Sequence, residues 1–143
     1  MGLDAFWDTS ALVPLCTIQA ATPRAVAHHA NYGITVWWAT PVEIAAALAR
    51  LVRTRKITSH GLIKAQKAAL QLADEWSVIS PSDAVRTRAF VLVHNHDLRA
   101  ADALQLAAAL EWCENQSQGR VFLSADHRLR QAALAAGFDA KTV

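Results

Sequence analysis

Short apolar runs alternate with longer helical patterns along the whole sequence, and this alternation strongly constrains the fold. The apolar runs predict four strands, at residues 3–7, 34–38, 77–80 and 121–124. Helical patterns follow all four, and Thr-Pro pairs at residues 22–23 and 40–41 are typical helix starts. Strands that alternate with helices usually pair in parallel. We therefore predict a three-layer α/β fold with a central parallel sheet flanked by helices.

The length and composition favour one soluble domain. A chain of 143 residues can bury a real core, and we assign residues 1–143 to a single domain. Apolar residues make up 53% of the chain, but no apolar run is long enough to cross a bilayer. Cys16 and Cys113 are isolated, which is typical of buried thiols. Because the amino end also lacks a secretion signal, we expect a cytoplasmic protein without membrane association.

Four acidic residues stand where an apolar run gives way to a helical pattern. They are Asp8, Glu43, Asp102 and Asp126. The first and last lie just past predicted strands, whereas the other two lie in the first turns of predicted helices. In a parallel sheet the carboxyl ends of the strands and the amino ends of the helices meet at one edge. All four carboxylates can therefore reach the same edge.

Carboxylates in apolar surroundings need a compensating partner, because burial and mutual repulsion both disfavour their ionised form. A divalent cation offsets both effects. Ligands that are all oxygen atoms favour Mg²⁺ or Mn²⁺ over zinc, and such ions support in-line hydrolysis of phosphodiesters. We predict a catalytic metal site formed mainly by Asp8, Glu43 and Asp102. Asp126 completes it, directly or through water.

Each acid also has an ordinary structural explanation. Residues 40–43, Thr-Pro-Val-Glu, match a capping box in which the Glu43 carboxylate bonds to the first amide of the motif. Asp8 can cap the helix that begins near Ser10, and the helix dipole favours the other two acids in first turns. Capping alone does not explain four acids, because Ser, Thr and Asn cap comparably well without a charge.

Several neighbouring side chains are open to two interpretations. Ser10 and Ser124 each lie two residues from a predicted ligand, and each can bond to a carboxylate or to a metal-bound water, or simply cap a helix. His127 can assist proton transfer, although a surface histidine is the simpler interpretation. Trp37 and Trp38 are predicted to be core residues, and one tryptophan of the chain can instead line a groove for a partner helix.

A basic strip follows Glu43, and no acid interrupts it before Asp74. It comprises Arg50, Arg53, Arg55, Lys56, Lys64 and Lys67. A basic strip beside an acidic metal pocket suits a polyanion, because the strip attracts phosphates that the pocket alone repels. The first four cations are candidates for contacts with the phosphates of such a polyanion. Taken by itself, the strip is also explained as a solvated helical face.

Four fragments, taken in order, resemble the PIN-domain family and, more narrowly, its VapC toxins. They are residues 8–13 (DTSALV), 41–50 (PVEIAAALAR), 98–107 (LRAADALQLA) and 124–126 (SAD). The similarity extends from about residue 6 to residue 138. One departure is Ser124, where the family often has threonine, and both residues carry a hydroxyl group.

The resemblance implies a ribonuclease that depends on Mg²⁺ or Mn²⁺. It further implies the toxin of a type II, VapBC-like toxin–antitoxin system, which forms a homodimer and is inhibited by a VapB-like antitoxin. Carried over by position, the four acids form the catalytic pocket, and Ser10 and Ser124 support it.

Other functions remain open at the level of sequence. A PIN-type nuclease can act in RNA processing or on DNA without an antitoxin. A non-catalytic binding module would use the acids only as caps. Haloacid dehalogenase chemistry fits less well, because it expects a second Asp where Ser10 stands, and a receiver domain expects a lysine after a late strand.

Overall fold

The structure, a computed structural model, describes residues 3–143, which form five strands and seven helices. In chain order these are β1 (Leu3–Trp7), α1 (Thr9–Cys16), α2 (Thr22–Asn31), β2 (Tyr32–Trp37), α3 (Thr40–Arg53), α4 (Ser59–Ala73), β3 (Ser77–Ile79), α5 (Asp83–Asn95), α6 (Ala100–Trp112), β4 (Val121–Ser124), α7 (His127–Ala135) and β5 (Asp139–Thr142). The four predicted strands all occur, with ends that differ by no more than two residues, and helices begin at both Thr-Pro pairs. The predicted domain, residues 1–143, includes Met1 and Gly2, which lie outside the described residues.

The strands form one parallel sheet in the order β3-β2-β1-β4-β5. With helices on both faces, this confirms the predicted three-layer α/β fold. The edge strand β5 was not predicted, because its sequence, Asp-Ala-Lys-Thr, contains no apolar run. Its pairing with β4, from Val121 opposite Asp139 to Ser124 opposite Thr142, makes it a strand.

Two hydrophobic cores lie on opposite faces of the sheet, because successive strand residues point to opposite sides. Ala5 and Trp7 of β1 pack in the core that contains α1, α3 and α4. Phe6, between them, packs in the core that contains α5, α6 and α7, and its ring stacks on Phe122 of β4 with centroids 5.6 Å apart. The predicted burial of both cysteines is confirmed, with one thiol in each core.

The two adjacent tryptophans have different environments. Trp37 ends β2 and is 6% exposed, as expected of a core residue. Trp38 is 59% exposed, so the prediction that both are buried is wrong for Trp38. The strand stops one residue earlier than predicted, and Trp38 lies in the turn that leads to α3.

Local sequence signals fix several helix ends. The side chains of Thr58 and Ser82 cap α4 and α5 by accepting hydrogen bonds from the amides of Gly61 and Val85. Gly137 follows α7 with a φ of 101°, a conformation that favours glycine at the end of a helix. The longest helix described, α4, has 15 residues, and no helix within residues 3–143 is long and apolar enough to cross a membrane.

Candidate metal-binding site

The four predicted carboxylates line one cavity of about 320 Å³, which we call the acidic cavity. Asp8 follows β1 and Asp126 lies two residues beyond β4, at the ends of two neighbouring parallel strands. Glu43 and Asp102 lie in the first turns of α3 and α6. The chain proceeds from β1 to β2 on one side, while β4 lies on the other, so the cavity lies at a topological switch point. Ligands of open parallel sheets bind at such points.

Asp8 is 5% exposed, and two serine hydroxyls hold its carboxylate. Ser10 Oγ and Ser124 Oγ donate to Asp8 Oδ2 at 2.5 and 2.9 Å. Burial raises the pKa of Asp8, whereas these two hydrogen bonds lower it and the nearby charge of Asp102 raises it further. Asp8 stands at the N-cap position of α1 without a side-chain capping bond, so the capping interpretation of Asp8 is wrong.

The two serines connect Asp8 to the loop after β4. Ser10 Oγ accepts from the amide of Ala125 at 2.9 Å, and Ser124 Oγ accepts from the amide of Asp126 at 3.0 Å. Each hydroxyl therefore accepts from backbone and donates to the carboxylate. Of the two sequence interpretations, bonding to a carboxylate is the one that these contacts match.

Glu43 bonds to a distant glutamine and not to the start of its own helix. The N-cap position of α3 is Ala39, which makes no side-chain capping bond, so the predicted capping box is wrong. Gln105 Nε2 of α6 instead donates towards both Glu43 carboxylate oxygens, at 3.0 and 3.3 Å. Burial raises the pKa of Glu43 to about 7. The hydrogen bond from Gln105 lowers this pKa, and the charges of Asp8 and Asp102 raise it.

The remaining two acids interact with each other across the cavity. Burial raises the pKa of Asp102, the charge of Asp126 raises it further, and the Arg99 guanidinium lowers it. Asp126 Oδ1 accepts from the amide of Leu129 at 3.1 Å, so Asp126 does cap α7. This carboxylate thus combines the structural role with a place in the acidic cavity.

The donor chemistry of the cavity fits a hard divalent cation. The carboxylates and the two serine hydroxyls offer only oxygen, and a divalent cation would offset the burial and repulsion that raise three carboxylate pKa values. Among residues 3–143, however, no group of three His, Cys, Asp or Glu side chains is arranged so that it could hold a metal ion. Protein donors hold two of the carboxylates, Ser10 that of Asp8 and Gln105 that of Glu43. A shared cation would therefore draw the carboxylates closer together than they lie here.

One cation of the basic strip lines the acidic cavity. Arg50 lines the cavity itself, while Arg53, Arg55 and Lys56 are exposed farther along the chain. In the described part of the chain, none of these four cations forms a salt bridge.

A second polar cavity, of about 700 Å³, shares Asp102 and Asp126 with the first. Its lining includes Arg99 and Arg128, which the sequence analysis did not select. His127 lies there too and is exposed, in agreement with a surface histidine.

The polar side chains that surround Glu43 were not predicted from the sequence. Gln105 is fully buried, and its Nε2 lies 3.1 Å from Thr9 Oγ1 and 3.4 Å from Thr40 Oγ1. One sequence signal was available, since Gln105 is a polar residue in an Ala/Leu-rich run, three positions after Asp102 and hence on the same helix face.

An apolar groove of about 390 Å³ lies between α3 and α4, and we call it the α3–α4 groove. Its lining comprises Pro41, Ile44, Ala45, Leu48, Gln66, Ala69, Leu70, Ala73 and Trp76. Trp76 thus matches the alternative interpretation that a tryptophan lines a groove. Leu70 on the groove is 70% exposed, which leaves a large apolar side chain in contact with solvent.

Comparisons with known proteins agree with this fold. The crystal structure of PAE2754 from Pyrobaculum aerophilum is similar, with a TM-score of 0.63 and 19% identity over 99% of this chain and 84% of that chain. No curated protein matches the sequence significantly. The sequence profile of the PIN domain matches residues 5–134, most of the chain. The chain therefore belongs to the PIN domain family, whose members are typically metal-dependent nucleases.

Proposed function

We propose that the protein is an endoribonuclease dependent on Mg²⁺ or Mn²⁺, and the toxin of a VapBC-like toxin–antitoxin system. Membership of the PIN domain family supports nuclease activity. The observation that carries the proposal is the convergence of four carboxylates, from four separate parts of the chain, on one cavity. Helix capping does not account for this set of acids, because only Asp126 among the four makes a side-chain capping bond.

The proposed metal ligands are Asp8, Glu43 and Asp102, with Asp126 completing the site directly or through water. When bound, the cation would supply positive charge to the phosphate in the transition state and activate a water for attack. Ser10 and Ser124 orient the Asp8 carboxylate. The two serines thus orient one proposed ligand. Because the cation would activate the water, no histidine base is needed.

Basic side chains would hold the RNA backbone beside this negative cavity. Arg50 lies on the cavity wall, and Arg53 follows one turn later on α3. Arg55 and Lys56 extend the positive surface beyond the end of the helix. Exposed cations attract phosphates over several ångströms, so this surface can offset the repulsion of RNA by the carboxylates.

RNA as the substrate, an antitoxin and a homodimer are supported by the sequence resemblance to VapC toxins. Residence in the cytoplasm is supported by the two cysteines, which are free and buried. The α3–α4 groove is consistent with a partner, because exposed apolar grooves accept the apolar face of an amphipathic helix. A processing nuclease without an antitoxin would need no such partner. Co-purification with the product of an adjacent small gene would separate these two candidates.

Cleavage of labelled RNA by the purified protein tests the proposal, with Mg²⁺ or Mn²⁺ added and EDTA as the metal-free control. We expect Asp102→Asn to reduce the cleavage rate by more than about 100-fold, since even metal-ligand orienting groups contribute about 10- to 100-fold. Folding should be retained, because Asn suits a first helical turn nearly as well. Asp83→Asn is the matched control, since Asp83 is an exposed acid in the first turn of α5.

Three results would contradict parts of the proposal. A wild-type cleavage rate in Asp102→Asn would show that this carboxylate takes no part in the reaction. Cleavage of DNA of the same sequence, but not of RNA, would favour the alternative nuclease. Equal losses of stability in both variants, without any metal-dependent cleavage by the wild type, would favour a binding module whose acids are caps.

A further inference from the structure

The Gln105 side chain joins three helices behind the acidic cavity. It is 0% exposed on α6, and its Nε2 reaches Thr9 at the start of α1 and Thr40 at the start of α3. Its shortest contact, 3.0 Å, is to Glu43 Oε2. These contacts connect residues 62 to 96 positions apart, so the amide is fixed by tertiary structure and not by its own helix.

The hydrogen bonding of this amide is unbalanced. The Nε2 group has two hydrogens and faces four acceptor atoms, which belong to Thr9, Thr40 and Glu43. The amide oxygen Oε1 is buried and has no hydrogen-bond partner within the described residues. When Glu43 is ionised, as in metal binding, the reverse amide orientation would turn Oε1 towards its carboxylate and set acceptor against acceptor. The contact with Glu43 therefore determines which way the amide points.

A purely structural role does not explain the hydrogen bonding of Gln105 well. Leaving a buried amide oxygen without a partner is unfavourable, and an apolar side chain of similar size would fill the same space without that cost. What the glutamine adds is a donor directed at a carboxylate of the acidic cavity. Residues that do not touch the metal commonly orient its ligands through hydrogen bonds of this kind.

We propose that Gln105 is a positioning residue that holds the Glu43 carboxylate in the orientation used to bind a divalent cation. The inference rests on the proposed metal-dependent function and adds to it a residue that touches neither cation nor RNA. Gln105 and Asp102 lie three positions apart on α6, so one helix turn carries both a proposed ligand and the group that orients another.

Titration calorimetry with Mn²⁺ alone, in the absence of RNA, tests this role in Gln105→Met. We expect the dissociation constant for Mn²⁺ to rise about 10- to 100-fold, the usual effect of removing an orienting partner. The midpoint of thermal unfolding in EDTA should change little, because the substitution also removes the unpaired Oε1. Gln71→Met is the matched control, since Gln71 is an exposed helical glutamine on α4, and it should bind Mn²⁺ like the wild type.

A double-mutant cycle with Glu43→Gln distinguishes positioning from general structural support. If Gln105 acts through Glu43, then Gln105→Met should have no further effect on Mn²⁺ affinity once Glu43 is replaced. Gln105→Asn, which keeps an amide but shortens its reach, provides a second variant and should also bind Mn²⁺ more weakly. Unchanged Mn²⁺ affinity in folded Gln105→Met or Gln105→Asn would overturn the inference alone. Failure of the wild type to bind Mn²⁺ would overturn the proposed function as well.

Discussion

Two faces of helix α3 line two cavities of opposite character. Glu43, Ala46, Ala47 and Arg50 face the acidic cavity, whereas Pro41, Ile44, Ala45 and Leu48 face the α3–α4 groove. The first cavity gathers negative charges whose ionised forms burial disfavours. The second is lined mainly by apolar side chains, of which Ile44 and Leu48 belong to a hydrophobic core.

Burial of side chains has opposite effects on stability at these two cavities. Burial of Ile44 and Leu48 favours folding, because apolar surface leaves water. Burial of Asp8 opposes folding in the absence of a cation, because its ionised form loses hydration. Substitutions of Leu48 in the α3–α4 groove and of Asp8 in the acidic cavity should therefore change stability in opposite directions.

The largest expected effect lies on the apolar side. Leu48→Ala should lower the free energy of unfolding by about 2–5 kcal/mol, since Leu48 is 1% exposed and its truncation leaves a cavity. Urea denaturation with an unchanged m-value measures the loss, and Val42→Ala at a 71% exposed position is the control. A loss similar to that of the control would mean that α3 is not anchored by this face.

Asp8→Asn should have a smaller effect of opposite sign. In EDTA near pH 8 we expect the free energy of unfolding to rise by about 0.5–2 kcal/mol, because a buried charge is removed at a functional site. Added Mn²⁺ should reverse the order, since a ligand stabilises only the protein that binds it. A lower stability of Asp8→Asn in EDTA would instead show that the bonds from Ser10 and Ser124 outweigh the burial of the charge.

Glu43 should give the metal-free protein a pH-dependent stability. Its pKa rises from 4.5 to about 7 on folding, so the folded state keeps a proton that the unfolded state has lost between these values. This contribution to stability is complete below pH 4.5 and is lost as the pH rises through about 7. Thermal midpoints in EDTA from about pH 5 to 8 should therefore fall less steeply in Glu43→Gln than in the wild type.

Glu114→Gln, at an exposed position after α6, serves as the control for this pH series. Part of the slope should persist in Glu43→Gln, because burial also raises the pKa values of Asp8 and Asp102. Identical slopes in Glu43→Gln and the wild type would contradict a raised pKa at Glu43. Mn²⁺ affinity should increase over the same pH range, because the ligand must lose its proton.

The smallest effect on stability is expected at Leu70, an exposed residue of the α3–α4 groove. Leu70→Ser should change the free energy of unfolding by no more than about 0.5 kcal/mol, because a 70% exposed side chain contributes little to the core. Chemical denaturation measures this, and pull-down of the proposed antitoxin measures the loss of an apolar contact. A destabilisation like that of Leu48→Ala would mean that Leu70 is part of the core.

Sequence patterns were sufficient for elements whose own residues carry the periodicity. The helical pattern after residue 40 and the apolar run at residues 121–124 predicted α3 and β4, because neighbouring residues determine both patterns. The polar strand β5 was missed, because only its pairing with β4 makes it a strand. Trp38 was placed wrongly for a related reason, since an aromatic residue at a strand end can continue the strand or begin the turn.

The sequence by itself determined a parallel sheet and the positions of four acids at strand and helix ends. The tertiary structure decided which donor each acid meets: Gln105 for Glu43, two serines for Asp8, and the α7 amide of Leu129 for Asp126. Periodicity depends on residues a few positions apart, so it is visible in the sequence. The bond between Glu43 and Gln105 spans 62 positions, and its geometry depends on the packing of whole helices against the sheet.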